Sequence, residues 1–405
     1  MSHFIDLSLL KNNARYRLLF SGQSVSFLGT MITSVALPYQ VYHETHSILM
    51  IGLLSLLQLI PLLFTALLGG VLADRHHRKK LLLIADALLA ICCLLLALNS
   101  LANTPSILLI FIVSPFASAI TGLHRPALES ISQQLVDKKD FQTAGTLVTF
   151  VYSGGMIIGP AIGGLLIAHF GLFVTYMIDF ASYAVSWLAI AAIKNVAKPQ
   201  NNVPDESTWN ALKQGIGYAM GRQILVGTYV VDFVAMIFGM PNALFPAIAQ
   251  HYGGVETLGL LYSAPAVGAL LIALVSGWTH QVKRHGQAVA IAAVIWGIAI
   301  ILFGLFSNLW LALFFLAIAG GADAVSGIFR QTMWNETIPT EYRGRLSGLA
   351  MISYLSGPRL GDTESGLVAA AFGVTASVIS GGVLCVIGVG LCCYYLPKFW
   401  QYRAE

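Results

Sequence analysis

The sequence predicts an all-α integral membrane protein whose twelve transmembrane helices form two six-helix pseudo-repeats. Three observations carry that prediction. The first is composition: of 405 residues, 57% are hydrophobic and only 10% are charged, a balance suited to a chain whose surface faces lipid. Apolar runs centred near residues 29, 60, 90, 118, 156, 183, 236, 268, 295, 322, 359 and 385 alternate with short polar breaks. Each run approaches or exceeds the roughly 20 residues that cross a bilayer as helix.

The second observation is the placement of positive charge. If twelve helices alternate in direction, six breaks fall on one side: "HETHS", "NSLANTPS", "AHFGL", "QHYGGVE", "FSNLW" and "AAFGVT". None of them contains Lys or Arg. The lysines and arginines of the remaining breaks and of both ends, from Lys11 and Arg15 to Lys398 and Arg403, fall on the other side. By the positive-inside rule both termini are expected in the cytoplasm. The mild basic excess belongs to this topology, so no nucleic-acid partner is expected.

The third observation is an internal echo. "GLLSLLQLIPLLFTALLGG" runs from Gly52 to Gly70, and "GLLYSAPAVGALLIALVSG" runs from Gly259 to Gly277 with the same spacing. "IGPAIGG" from Ile158 and "SGPRLGD" from Ser356 share Gly-Pro-x-aliphatic-Gly and stand in the fifth span of each half. Parallel six-helix repeats of this kind build one large class of transporters.

Taken in order, the elements follow. The N-terminus is polar through Arg17 and leads into an apolar run long enough to stay as a helix, so no cleavable signal peptide is expected. The polar stretch "KNVAKPQNNVPDESTWNALK" divides the chain into an N-terminal half, 1–193, a linker, 194–222, and a C-terminal half, 223–405. After Ser207, a plausible N-cap, Trp209, Leu212, Ile216 and Met220 recur at helical spacing, which predicts a short amphipathic helix at the interface. Cys92, Cys93, Cys385, Cys392 and Cys393 lie in or at the ends of spans and read as small core residues. His43, Glu44 and His46 read as a solvated loop, and no metal site or cofactor is expected.

The eleventh span is unusual. Pro358 removes a backbone donor and favours a kink, while Gly357 and Gly361 let a neighbouring helix come close. Where span five has Ala161 and Gly164, this span has Arg359 and Asp362, with Glu364 just beyond. A charge at mid-membrane costs about 2.5 to 3.5 kcal/mol on insertion scales. Two readings stand open: a packing ion pair between Arg359 and Asp362, or side chains lining a transport path.

The loop "GGVLADRHHRKK" resembles the signature loop of the major facilitator superfamily, with Gly70, Leu72, Asp74, Arg75, Arg78 and Lys79 in register. His77 stands where that signature has its second glycine, which questions the tight turn; the second-half counterpart "GWTHQVKRHG" has Gln281 in place of the aspartate. "GMIIGPAIGG", with Gly155, Gly159, Pro160, Gly163 and Gly164, is similar to a motif of proton-driven exporters in that superfamily. "RPALESISQQLVDKKDFQTAG", "GADAVSGIFRQTMWNETIPTEYRGRLSG" and "SGPRLGD" resemble the branch containing bacterial enterobactin exporters, and the resemblance spans nearly the whole chain.

That resemblance implies a major facilitator fold, a gating role for the loop, and a central cavity lined by helices one, four, seven and ten. By it, Arg125, Asp232, Asp323 and Arg330 are candidates, and Asp179 a weaker one. Arg125, Arg330 and Arg359 suit an anionic or polyhydroxylated cargo; Asp362, Glu364, Asp323 and Asp232 are the proton-coupling candidates. Asp362 with Arg359 ranks first and Asp323 with Arg330 second. No phosphate-binding loop is present, so alternating access with proton antiport is expected in place of ATP hydrolysis. The expected function is export of a small molecule such as a siderophore by a monomer in a bacterial inner membrane, with multidrug or other metabolite efflux as the alternative. A transport-dead sensor is a reading from a different class, and an enzyme is not expected.

Overall fold

The computed structural model describes residues 6–75, 77–194 and 208–404, with side chains described except at 70–75, 208–212, 340–341, 343–345 and 347–349. Every element among them is helical. The long helices are α1 (Ala14–Thr45), α2 (Ile48–Arg75), α3 (Arg78–Ser100) and α4 (Ile107–Leu135). The 52-residue segment Phe141–Ala192 is two helices, α5 (141–170) and α6 (172–192), joined at Gly171. After the linker come α7 (Gln223–Phe238), α8 (Val255–Leu274), α9 (His285–Leu305), α10 (Leu309–Thr337), α11 (Thr340–Phe372) and α12 (Val374–Tyr395).

Ten described segments are long and apolar enough to cross a membrane. That count takes α5 and α6 as one and omits α11, the helix carrying Arg359, Asp362 and Glu364. Reaching twelve therefore requires the division at Gly171 and a charged eleventh span.

The repeat is visible in backbone geometry. Gly171 has φ 76° and ψ 177°, and Gly373, between α11 and α12, has φ 88° and ψ 163°. Each follows a phenylalanine, and each reverses the chain through a conformation that side chains with a Cβ rarely adopt. His77 needs no such freedom: it precedes α3 at φ −61° and ψ 105°, an extended geometry open to any residue. At His77 itself, histidine is therefore compatible with the backbone where the superfamily's signature has glycine.

The chain separates into two compact units, one of Met1–Glu44 with Leu57–Pro204, the other of Thr45–Leu56 with Asp205–Glu405. In the first, Leu19, Leu82, Ile131 and Ile190 meet in a buried core. Gly155, Gly159 and Gly163 on α5 face Phe27, Met31 and Ile32 on α1, and Pro160 and Gly164 are buried with them. The second unit has the equivalent arrangement. Gly357 and Gly361 on α11 face Met236 and Ile237 on α7, and Pro358 lies between them within the helix. A Cβ at Gly163 would stand 2.9 Å from the carbonyl of Ile32, and one at Gly361 would crowd the carbonyls of Met236 and Ile237. Close backbone approach explains the shared glycines.

The linker helix Thr208–Met220 turns Gly215 and Ala219 inward and leaves Ile216 and Met220 exposed. Tyr218 stacks on Tyr342 at 4.1 Å. Its outward apolar edge suits a membrane interface; Ser207 and the side chains of Trp209 and Leu212 lie outside the described residues.

Candidate functional site

Among the described residues, three charged side chains inside the spans meet between α7 and α10. Asp232 and Arg330 form an ion pair, and Arg330 Nη2 is 3.5 Å from Asp323 Oδ1. One guanidinium thus serves two carboxylates. Local geometry explains why: Asp323 and Arg330 are seven residues apart, two turns along one helix face. Asp232 enters from α7 in a fixed register, because Trp334 Nε1 donates to Thr228 Oγ1 at 2.8 Å. Thr228 and Asp232 are four residues apart on α7, as are Arg330 and Trp334 on α10, so the two contacts lie one turn apart. Met236, a further turn along α7, is the residue against Gly357; the glycines of α11 therefore help to place Asp232.

The three side chains differ in access. Those of Asp232 and Arg330 are 11% and 10% exposed, whereas that of Asp323 is 43% exposed. Arg330 Nε is buried with no acceptor among the described residues. The cluster carries one carboxylate more than it has cations, so a single bound proton makes it neutral. Asp323 is the most exposed of the three side chains.

The sequence expectation ranked Asp362 with Arg359 first. In the structure Asp362 Oδ2 accepts from Ser55 Oγ at 2.9 Å, and Arg359 stands three residues before it, within one turn of the same helix. Thr363 Oγ1 donates to the carbonyls of Arg359 and Gly52 at 2.8 and 3.1 Å. The stretch Thr45–Leu56, which includes the first turns of α2, thereby packs on α11 within the second unit. Glu364 is half-buried two residues beyond Asp362, a spacing that points the two carboxylates to different faces. Arg125 belongs to the first unit and is half-buried on α4, one turn from the exposed Glu129. His43 and Glu44 are 3.3 Å apart at the exposed end of α1, and among the described residues no group of three His, Cys, Asp or Glu is placed to hold a metal ion.

In the first turn of α3, Lys79 Nζ donates to the carbonyls of Ala191 and Ile193 at 2.8 and 2.6 Å. It satisfies carbonyls that the end of α6 leaves open, and its charge suits that end of the helix dipole. Arg78 is half-buried at the start of α3; the surroundings of Gly70 and the side chains of Asp74 and Arg75 lie outside the described residues.

Sequence reasoning missed a polar network in the first unit. His124 Nε2 donates to Asp86 Oδ1 at 3.0 Å, Ser186 Oγ donates to Asp86 Oδ2 at 2.7 Å, and Gln23 Nε2 donates to Ser186 Oγ at 2.9 Å. Asp86 is fully buried. Asp179, buried on α6, accepts from Cys93 Sγ at 3.3 Å and Ser182 Oγ at 3.1 Å. The signal available was a lone Asp in the apolar run "LLLIADALLAICC", since an intramembrane acid needs a partner. All five cysteines are free.

A family model described as transmembrane secretion effector matches residues 7–401. The chain belongs to that family, a branch of the major facilitator transporters. Among its relatives are proteins named enterobactin exporter EntS from Shigella boydii serotype 18 and Escherichia coli O1:K1, each 29% identical over 96% of this chain and 93% of theirs. Solved structures share the fold at lower identity. A POT family transporter in complex with 5-aminolevulinic acid has a TM-score of 0.77 at 13% identity, covering 96% of this chain and 97% of that one. A bacterial homologue of the human lysosomal transporter Spinster has a TM-score of 0.77 at 14% identity, covering 97% and 98%. The protein is thus a multi-span membrane transporter with bacterial exporter relatives.

Proposed function

We propose that this transporter exports a siderophore-class molecule, anionic or rich in hydroxyl groups, from the bacterial cytoplasm across the inner membrane in exchange for protons. Both termini face the cytoplasm in this reading, as the lysine and arginine distribution requires. The observation that carries it is the Asp232–Arg330–Asp323 cluster, in which one arginine is shared by a sealed carboxylate and an accessible one.

The mechanism follows from charge balance. With both aspartates ionised, the cluster holds a net negative charge inside the membrane, which is costly. A proton arriving on Asp323 cancels it. A hydroxyl group of the cargo makes its charge-assisted hydrogen bond to Asp323 only while that carboxylate is ionised, with neighbouring cargo oxygens held by Arg330. Cargo and proton thus exclude one another at Asp323 and occupy the cluster in alternation, and rocking of the two halves carries each across. Asp362, held by Ser55 with Arg359 within a turn of it on α11, is the second proton site. The likeness to enterobactin exporters supports the cargo class.

The test has two stages. Medium and cells of a deletion strain and its complemented parent, grown without iron, are profiled for metabolites; loss of one iron-chelating compound from the medium with accumulation inside is expected. An unchanged chelator profile rejects the cargo class. In proteoliposomes with the identified compound, Asp323→Asn is expected to lower pH-gradient-driven uptake at least ten-fold while leaving cargo binding measurable. Intact gradient-driven transport by that variant rejects Asp323 as the coupling group.

A further inference from the structure

A cavity of about 690 Å³ opens at the surface of α8, α9 and α10, all within the second unit, among exposed apolar side chains of the kind that face lipid. Its size falls in the range of ligand pockets. The floor is made of small residues: Gly268 on α8, Ala288 and Ala292 on α9, and Gly321 and Ala322 on α10. Two close backbone contacts lower it. Gly268 meets Ala317, and Gly320 meets Pro265, each so closely that a Cβ would collide with a carbonyl. The rims are larger and outward-facing, with Leu271, Ile291 and Phe314 each more than half exposed.

Polarity is confined to one end. There the cavity is bounded by Trp278, Arg284 and Gln287. Arg284 is exposed and precedes the first turn of α9, whose open amides add positive potential. Its guanidinium reaches the neutral Gln287 Oε1 at 3.4 Å. Glu336 accepts from Tyr402 Oη at 2.7 Å, with His285 Nδ1 3.8 Å away. The Lys283 carbonyl accepts from the Ala404 amide at 2.9 Å, which fixes the backbone beside the arginine while the Lys283 side chain stays exposed.

We propose that this groove binds one anionic phospholipid, with an acyl chain along the small-residue floor and its phosphate at Arg284. An apolar trench on a bilayer-facing surface is filled by hydrocarbon, and a cation with an interfacial tryptophan at one end selects a negative headgroup. The cavity is not cargo space in this assignment, and it stands whether or not the cargo is a siderophore. Its floor includes Ala322, and Val325 also lines it; Asp323 lies between them on α10, so the lipid touches the helix that carries the accessible carboxylate.

The full-length transporter, purified and delipidated in detergent, is titrated with phosphatidylglycerol and with phosphatidylcholine of the same chains, and adducts are counted by native mass spectrometry. One tight phosphatidylglycerol adduct is expected. Arg284→Gln should weaken it about five-fold, the worth of one basic side chain at a membrane surface. Ala288→Phe, which fills the floor, should weaken both lipids about ten-fold through lost methylene burial. Lys138→Gln, an exposed basic site in the first unit, should change neither and controls for folding and general charge. Equal loading by the two lipids, or a phosphatidylglycerol adduct unmoved by Arg284→Gln and Ala288→Phe, overturns the proposal. As a second measurement, phosphatidylglycerol should raise the melting temperature of the wild type more than that of Arg284→Gln; equal rises count against it.

Discussion

The two units of the molecule share a helical plan and differ in how they hold charge. In the first, Asp86 is completely buried and both its oxygens accept hydrogen bonds, from His124 and Ser186. In the second, Arg330 is divided between Asp232 and Asp323, and Asp323 is 43% exposed. A sealed, fully satisfied network rigidifies the helices it joins. An open cluster with an excess carboxylate has a reason to exchange its proton or its partner. The difference teaches that buried charge in this fold serves two ends, and that access and charge balance tell them apart.

The largest effect should follow from breaking the open cluster at its centre. Arg330→Met leaves two carboxylates in the membrane interior without a cation, and losing one partner of a buried pair costs about 3–5 kcal/mol. A marked fall in the denaturation midpoint of the purified protein is expected, together with loss of transport. Replacing Asp232 with Leu in the same chain should recover much of the stability but none of the transport, since the pair is then apolar while Asp323 remains unserved. If Arg330→Met melts like the wild type, the ion pair is not what holds α7 to α10.

Next comes the sealed network. Asp86→Ala leaves His124 and Ser186 without their acceptor, and each buried group so stranded costs about 1–3 kcal/mol. The melting temperature should fall while turnover per folded molecule stays near that of the wild type. Asp323→Asn should show the reverse, with little loss of stability and large loss of coupling. Finding that Asp86→Asn abolishes pH-driven transport without a stability change would erase the distinction between the units.

These contrasts also show what the sequence could reveal. Helix positions, the repeat and the glycine contacts were legible because they depend on local hydropathy and spacing: Gly163 and Gly361 were found by pattern alone. Asp323 and Arg330 were legible as a pair because seven residues along a helix return to one face. The addition of Asp232 was not, since it reaches Arg330 from another helix, and neither was the Ser55 contact to Asp362, made across 307 residues. Asp86 stands alone in an apolar run and His124 stands beside Arg125 on another helix, so only tertiary packing makes them a pair. Glu364 looked equivalent to Asp362 in sequence, yet two residues along a helix turn it to another face.

The repeat itself offers a matched test of smaller size. Gly163→Ala puts a methyl group against the Ile32 carbonyl of α1, and Gly361→Ala puts one against the Met236 carbonyl of α7. Overpacking of this kind costs about 1–3 kcal/mol, and similar losses are expected at both sites, measured as midpoint shifts. A large loss at Gly361 with none at Gly163 would mean that the second unit alone depends on the close approach.

The smallest effect concerns a junction that the two units build differently. Carrying the spacing that relates Gly52 to Gly259 forward takes Lys79 to Gly286. In the first unit the Lys79 side chain bonds the carbonyls of Ala191 and Ile193 at the end of α6; in the second, Gly286 lets the backbone of Phe399, just beyond α12, press directly onto α9. A flexible cation at a helix C-terminus contributes about 0.3–1 kcal/mol, weakened by salt, whereas a backbone contact through glycine leaves no room for a side chain. Lys79→Met should therefore lower the melting temperature slightly at low ionic strength, with the difference shrinking as salt is added. Gly286→Ala should lower it more, independently of salt. An effect of Lys79→Met on transport rate larger than its effect on melting would show that the bond at the end of α6 opens during the cycle, which a fixed backbone contact at Gly286 cannot do.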